Sequence, residues 1–184
     1  MIEVPKEVFE IGILKKDYHE RLLADLDRVA SQAGIPAPFV WSKLSQYCNE
    51  ADVAWVKALK HGKDNGMAYI GEFENPIEDR MMAITGACLR NYVDARLMSV
   101  QEVLSRLKSD NMPHPTVLLI PNFCLDKKEG GDIPAWQVSG LLGMLYARLA
   151  RGLKTVVHVG SMEALQKYYG EAFYKHITAH YKLV

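Results

Sequence analysis

Residues 66 to 83 read GMAYIGEFENPIEDRMMA: a short apolar strand, a glycine, a polar loop and an apolar helix. A strand that feeds a glycine-bearing turn at a helix N-terminus is an arrangement that holds phosphate, because backbone amides and the helix dipole converge there on an anion. The side chains oppose it. The loop has one glycine, Gly71, and no lysine, and it carries Glu72, Glu74 and Glu78. Carboxylates at a helix N-terminus satisfy the dipole themselves and repel a triphosphate. Pro76 lacks the amide that would point at a phosphate oxygen.

Other residues carry chemistry at weaker spacing. His176 and His180 stand four apart on a predicted helix, which can present two imidazoles to one metal; no acidic third ligand is near in sequence, and no metal is expected. His158 lies inside an apolar strand, where a hydrogen-bonded core histidine is expected, near the crevice end at which α/β folds place ligands. Residues 126 to 132, DKKEGGD, form a charged loop after a central strand. Lys127 and Lys128, with Arg148, Arg151 and Lys154 if they share a face, make the candidate contact for a protein partner or single-stranded DNA; the plainer reading of the loop is a solvated connection. Tyr168, Tyr169, Tyr174 and Tyr181 can stack bases, although at helical spacing some must be core. Cys48, Cys88 and Cys124 fit neither a disulfide framework nor a zinc ribbon and read as reduced, buried thiols.

The elements that position these groups follow from pattern and punctuation. A chain of 184 residues with 49% hydrophobic content suffices for one globular domain and a short appendage. Twenty-two basic residues against 22 acidic ones give no global pull toward nucleic acid or anionic membrane, so any such contact needs a local patch. The N-terminus lacks the basic start and apolar run of a signal peptide, and no stretch of about 18 apolar residues is present, so a soluble, cytoplasmic chain without membrane contact is expected. A helix is predicted over 16 to 33, with Asp17 as N-cap and Tyr18, Leu22, Leu26, Val29 and Ala33 inward, closed by Gly34. A second covers NEADVAWVKALKHG, with Ala54, Trp55, Ala58 and Leu59 inward and Gly62 at its end. Strands at 67 to 70, 94 to 98, 116 to 122, 154 to 159 and 181 to 184 then alternate with helices at 77 to 91, 99 to 109, 134 to 151 and 162 to 179. Ser99 to Glu102 spell a capping box. This order implies right-handed crossovers and a parallel sheet covered on both faces, with VLLI in its centre.

The order of elements and several short stretches resemble the AAA+ ATPases that load bacterial replicative helicases and their relatives that assist transposition. GIPAPF is similar to that family's start of the core, GMAYIGE to its first strand, SVQEVLSRLK to the helix after its second, TVLLIPNF to its metal-binding strand, and KTVVHVGSMEALQKYYGEAFYKHI to its sensor strand and terminal helix. The resemblance covers about residues 34 to 184. It implies an α/β fold of the P-loop NTPase type (AAA+/RecA-type), a five-stranded parallel sheet flanked by helices, divided as a helical extension over 1 to 34 and the α/β domain over 35 to 184. It also implies functional positions that this chain does not fill. Glu74 and Pro76 stand for two glycines of the phosphate loop, Ile77 and Glu78 for its Lys-Ser/Thr pair, and Pro121 and Asn122 for the acidic pair that holds magnesium. The sensor falls on Gly160 or Ser161, and the arginine that reaches a neighbouring subunit falls on His176.

The resulting expectation is a chain with no catalytic residues and no bound cofactor: a non-hydrolysing pseudo-ATPase that serves DNA replication or a mobile element by binding a replicative helicase, an active AAA+ ATPase or DNA. Ile77 is expected against the core, with the glutamates capping their own helix. One alternative is an α/β enzyme or ligand-binding protein that uses the crevice at the strand C-termini for a ligand other than ATP, with His158, Asn122 and the glutamates of residues 72 to 79 as its polar groups. Another is a purely structural subunit of a hetero-oligomer. A flavodoxin-like sheet is the competing topology; the resemblance places the first strand between the third and fifth.

Overall fold

The computed structural model describes residues 3–59, 65–124 and 134–184. Its elements run α1 (Lys6–Glu10), α2 (Glu20–Ala24), α3 (Leu26–Gln32), α4 (Pro38–Trp41), a 3-10 turn (Leu44–Gln46), α5 (Glu50–Ala58), β1 (Gly66–Ile70), α6 (Ile77–Arg90), β2 (Ala95–Leu97), α7 (Val100–Lys108), β3 (Val117–Cys124), α8 (Ala135–Ala150), β4 (Lys154–Val159), α9 (Met162–Tyr169), α10 (Glu171–His180) and β5 (Tyr181–Leu183). The sheet order is β2-β3-β4-β1-β5. Strand β1 pairs in parallel with β4 and β5, and β3 with β4.

This order excludes the flavodoxin-like alternative, in which the first strand lies between the second and third. It also corrects the expected neighbours of β1. The crossover through α8 returns the chain on the β1 side of β3, so β4 takes the place expected for β3. The fold is a five-stranded parallel sheet flanked by helices.

Two compact units are present. The first comprises residues 1–62 and 78–97, with Gly34 inside it; the second comprises residues 63–77 and 98–184. In the first unit Leu14, Leu22, Leu26, Ala30, Ala33 and Val40 bury a helical core. The predicted helix over 16 to 33 is two helices. Asp17 is not its cap, since α2 starts at Glu20 after His19, and the chain turns again at Asp25. Tyr18 is exposed at 62%, while His19 is buried in its place. In α5, Ala54 and Ala58 face outward instead of inward, and Asp52 and Trp55 are the buried positions. Asn49 caps α5 by accepting from the Asp52 amide, and Asp52 reciprocates while taking Arg80 Nε at 2.7 Å. A buried pair of this kind costs about 3–5 kcal/mol when one partner is removed. Helix α6 passes so close to α4 that a Cβ on Gly86 would collide with the Phe39 carbonyl, so no larger residue fits there.

The second unit's core gathers Leu118, Ile120, Phe123, Leu141, Leu145, Val157, Leu165 and Phe173. Residues of the VLLI run are fully buried, as a central strand requires. Ser99 Oγ accepts from the Glu102 amide at 3.1 Å and starts α7 as the sequence anticipates. The single helix predicted over 162 to 179 is broken into α9 and α10 by Gly170, at φ +92°, which only glycine adopts without strain. Gly62, Lys127 and Lys128 lie outside the described residues. Among those described, no helix is long and apolar enough to cross a membrane.

Candidate functional site at the strand ends

The carboxyl ends of β1, β3 and β4 meet in the second unit, and the polar groups of the crevice are held by one another. Strand β3 pairs residue for residue with β4 up to Ile120–Val157 and resumes at Cys124–Val159. Pro121, Asn122 and Phe123 therefore stand opposite the single residue His158. A bulge of this kind bends the strand and re-aims a side chain. Asn122 sits in it at φ +51°, a region that asparagine visits more readily than other non-glycine residues. Its Oδ1 lies 3.0 Å from His158 Nδ1, and His158 Nε2 donates to the Gly71 carbonyl at 2.9 Å. Backbone bonds close the same ring of strands: Gly71 N–H to Val159 O and Gly160 N–H to Cys124 O.

His158 is thus a buried bridge between β1 and β3. The Gly71 carbonyl only accepts, so Nε2 bears hydrogen, and Nδ1 faces the Asn122 amide. The expectation of a hydrogen-bonded core histidine holds, and it is joined to Asn122 and Gly71, which lie 36 and 87 residues away in sequence.

Above this bridge the loop after Gly71 folds back through Phe73. Its ring meets Tyr69 edge to face, with centroids 5.5 Å apart, and His158 at 6.2 Å. Phe73 is the one aromatic residue of this loop, and among its glutamates the sequence pattern does not single it out. Glu72, Glu74 and Pro76 are exposed, Ile77 is buried as expected, and Glu78 and Asp79 occupy the first turn of α6. Ser161, one of two candidate sensor positions, is the N-cap of α9 and accepts from the Ala164 amide at 3.0 Å. Tyr169 donates to the Phe123 carbonyl at 2.6 Å from a buried position, and burial raises its phenol well above the ordinary value.

The candidate contact surface divides. Arg148 is fully buried and cannot meet DNA or a partner from the surface. Its guanidinium donates to the carbonyls of Pro113, Pro115 and Lys154 and to Thr155 Oγ1 at 2.6–3.1 Å. Sequence spacing on α8 does not reveal which face points inward when the helix carries so few charges. Arg151 is exposed, with Nη1 3.1 Å from His114 Nδ1, and Lys154 is half-buried.

His176 is also buried, at 2% exposure, so it does not project toward a neighbouring subunit. Its ring packs against Tyr146, His180 and Tyr181, and among the described residues neither ring nitrogen has a hydrogen-bond partner. Burial, then the neighbouring His180, lowers its pKa to about 4. Among the described residues no group of three or more histidine, cysteine or acidic side chains could hold a metal ion. Of the tyrosines, Tyr169 and Tyr181 are core and Tyr168 and Tyr174 are half-buried. Cys88 and Cys124 are buried and Cys48 half-buried, all as free thiols; burial pushes Cys48 and Cys88 up to about 12.

No protein-family model matches this sequence, and no curated protein matches it. Solved structures match its fold. The DnaC helicase loader superposes with a TM-score of 0.60 at 12% identity, over 79% of this chain and 97% of that one. A provisionally assigned primosome component from Streptococcus pyogenes serotype M3 gives 0.59 at 14%, over 85% and 93%. The replication initiator DnaA bound to AMPPCP and single-stranded DNA gives 0.57 at 11%, over 77% of this chain and 48% of that one, so this chain spans about half of the initiator. The chain therefore shares the α/β fold of these structures, a five-stranded sheet flanked by helices.

Proposed function

We propose that this chain is a non-hydrolysing accessory of DNA replication or of a mobile genetic element, which keeps an AAA+ fold and acts by binding a helicase, an active ATPase or DNA. The observation that carries the first half is the self-contained crevice: Phe73 lies on Tyr69 and His158, and His158 binds Gly71 and Asn122. A triphosphate at this position needs a lysine, free loop amides and an anionic magnesium ligand. The loop offers Ile77 and Glu78 where the resemblance puts the lysine and hydroxyl, and β3 offers Pro121 and Asn122 where it puts the acidic pair. These residues do not fit magnesium-ATP.

The second half draws support from the neighbours in fold, among them a helicase loader and a DNA-bound initiator. Co-purification of the tagged full chain with a replicative helicase or an ATPase encoded nearby tests it. A stable complex is expected; a chain that captures neither, at low salt and at physiological protein concentration, contradicts the partner reading.

A further inference from the structure

We propose that the first unit carries a binding cleft for one nucleotide, with an edge-to-face tyrosine pair to take the base and a lysine for the phosphate. The cleft has a volume of about 450 Å³ and is lined by Gly12, Ile13, Lys15, Tyr18, His19, Arg90 and Asn91. That volume is within the range of small-ligand sites. The lining holds Lys15 and Arg90, whose Nη1 donates to the Val40 and Ser42 carbonyls, and no carboxylate, which favours an anionic ligand over a neutral sugar.

Tyr18 of the lining and Tyr92, which follows Asn91, make an exposed aromatic pair. Their rings lie 5.3 Å apart at 72°, and they are 62% and 52% exposed. Tyr92 occupies a costly backbone position. Helix α6 ends in a paired motif, with Tyr92 N–H donating to Leu89 O and Val93 N–H to Cys88 O, which places Tyr92 at the left-handed residue that glycine normally fills, here at φ +56°. A bulky residue at positive φ is a true outlier. Its hydroxyl donates to the Tyr18 carbonyl and so fixes the two rings together, while much of the ring remains open to solvent. His19 stacks on Tyr92 at 14°, and its own nitrogens are used internally: Nδ1 accepts from the Lys15 amide at 2.8 Å and Nε2 donates to the Arg90 carbonyl at 2.9 Å. The wall is therefore rigid. Lys15, an exposed residue, supplies the charge. Aromatic faces bind bases without sequence preference, and a neighbouring cation holds the backbone phosphate.

The nucleotide is either free or one unit of a single strand; the choice of a strand rests on the replication reading above. The test titrates the full chain with thymidine 5′-monophosphate and with a labelled oligothymidylate. It repeats both with Tyr92→Gly, which suits the left-handed position and so preserves the fold, with Tyr18→Ala, and with Lys15→Gln. Each tyrosine substitution is expected to weaken binding about tenfold, and Lys15→Gln to reduce its salt dependence. Tighter binding of the oligomer identifies a strand; equal affinity identifies a free nucleotide. Failure of both probes to bind the unaltered chain overturns the cleft, as does binding that ignores all three substitutions at unchanged Tm. Oligothymidylate binding that ignores them leaves the replication reading intact, whereas substitution-sensitive binding without helicase co-purification does the reverse.

Discussion

A buried polar side chain lies near each end of β4, Arg148 of α8 by its start and His158 by its finish, and the two are held in different ways. Near its start, Arg148 gives its guanidinium to three carbonyls and to Thr155. Near its finish, His158 has two partners, one from the end of β1 and one from the bulge of β3. A permanent cation needs enough acceptors to offset its lost hydration, so the arginine end is a fixed structural clamp. The His158 imidazole needs fewer partners, and here they come from the ends of β1 and β3.

The largest effect is expected from Arg148→Ala, which strips donors from buried oxygens and should destabilise the chain by about 3 kcal/mol or more. Arg148→Lys should recover little of it, because a compact ammonium cannot span four acceptors. Urea unfolding measures both; a loss under about 1 kcal/mol would erase the distinction between the two ends. His158→Ala should cost about 2 kcal/mol, through two lost hydrogen bonds and the packing of Phe73. The ring of strand ends should then exchange its Gly71 and Gly160 amides faster in hydrogen-exchange experiments. Unchanged exchange there would mean that the backbone bonds alone hold the crevice.

His176 is the limiting case, a buried imidazole without a hydrogen-bond partner among the described residues. Its folded pKa of about 4 lies below the ordinary 6.5, so between those values the unfolded chain binds more protons. The stability it contributes is complete above about pH 6.5 and falls as pH drops toward 4. Urea midpoints measured across that window should decline, and His176→Phe should flatten the decline. The smallest effect lies on the outer side of α8. Nothing approaches a Cβ added at Gly140 or Gly143, so Gly143→Ala should stabilise by about 0.5–1 kcal/mol. A destabilised variant would show that the constraint seen at Arg148 extends around the helix.

The alternation from Gly66 onward was legible because each strand is a short apolar run closed by a turn residue, and β4 was predicted to the residue. The helical first third was harder. Its α-helices are four to nine residues long, too short for periodicity to choose a face, and polar groups such as Asp52 and His19 are buried where the pattern favours alanine and tyrosine. The strand ends were half legible. Gly71, Asn122 and His158 were each marked, but the bulge that brings Asn122 to His158 adds residues to β3 that no local pattern announces. Arg148 was misplaced for a related reason: its acceptors are backbone carbonyls, which every residue carries.

Calorimetric titration of the full chain with magnesium-ATP tests the central claim most directly. A crevice whose His158 is bonded to Asn122 and Gly71, with Phe73 against it, predicts no saturable heat, with or without magnesium. One-to-one, magnesium-dependent binding that is lost when Gly71 or Asn122 is substituted would contradict it.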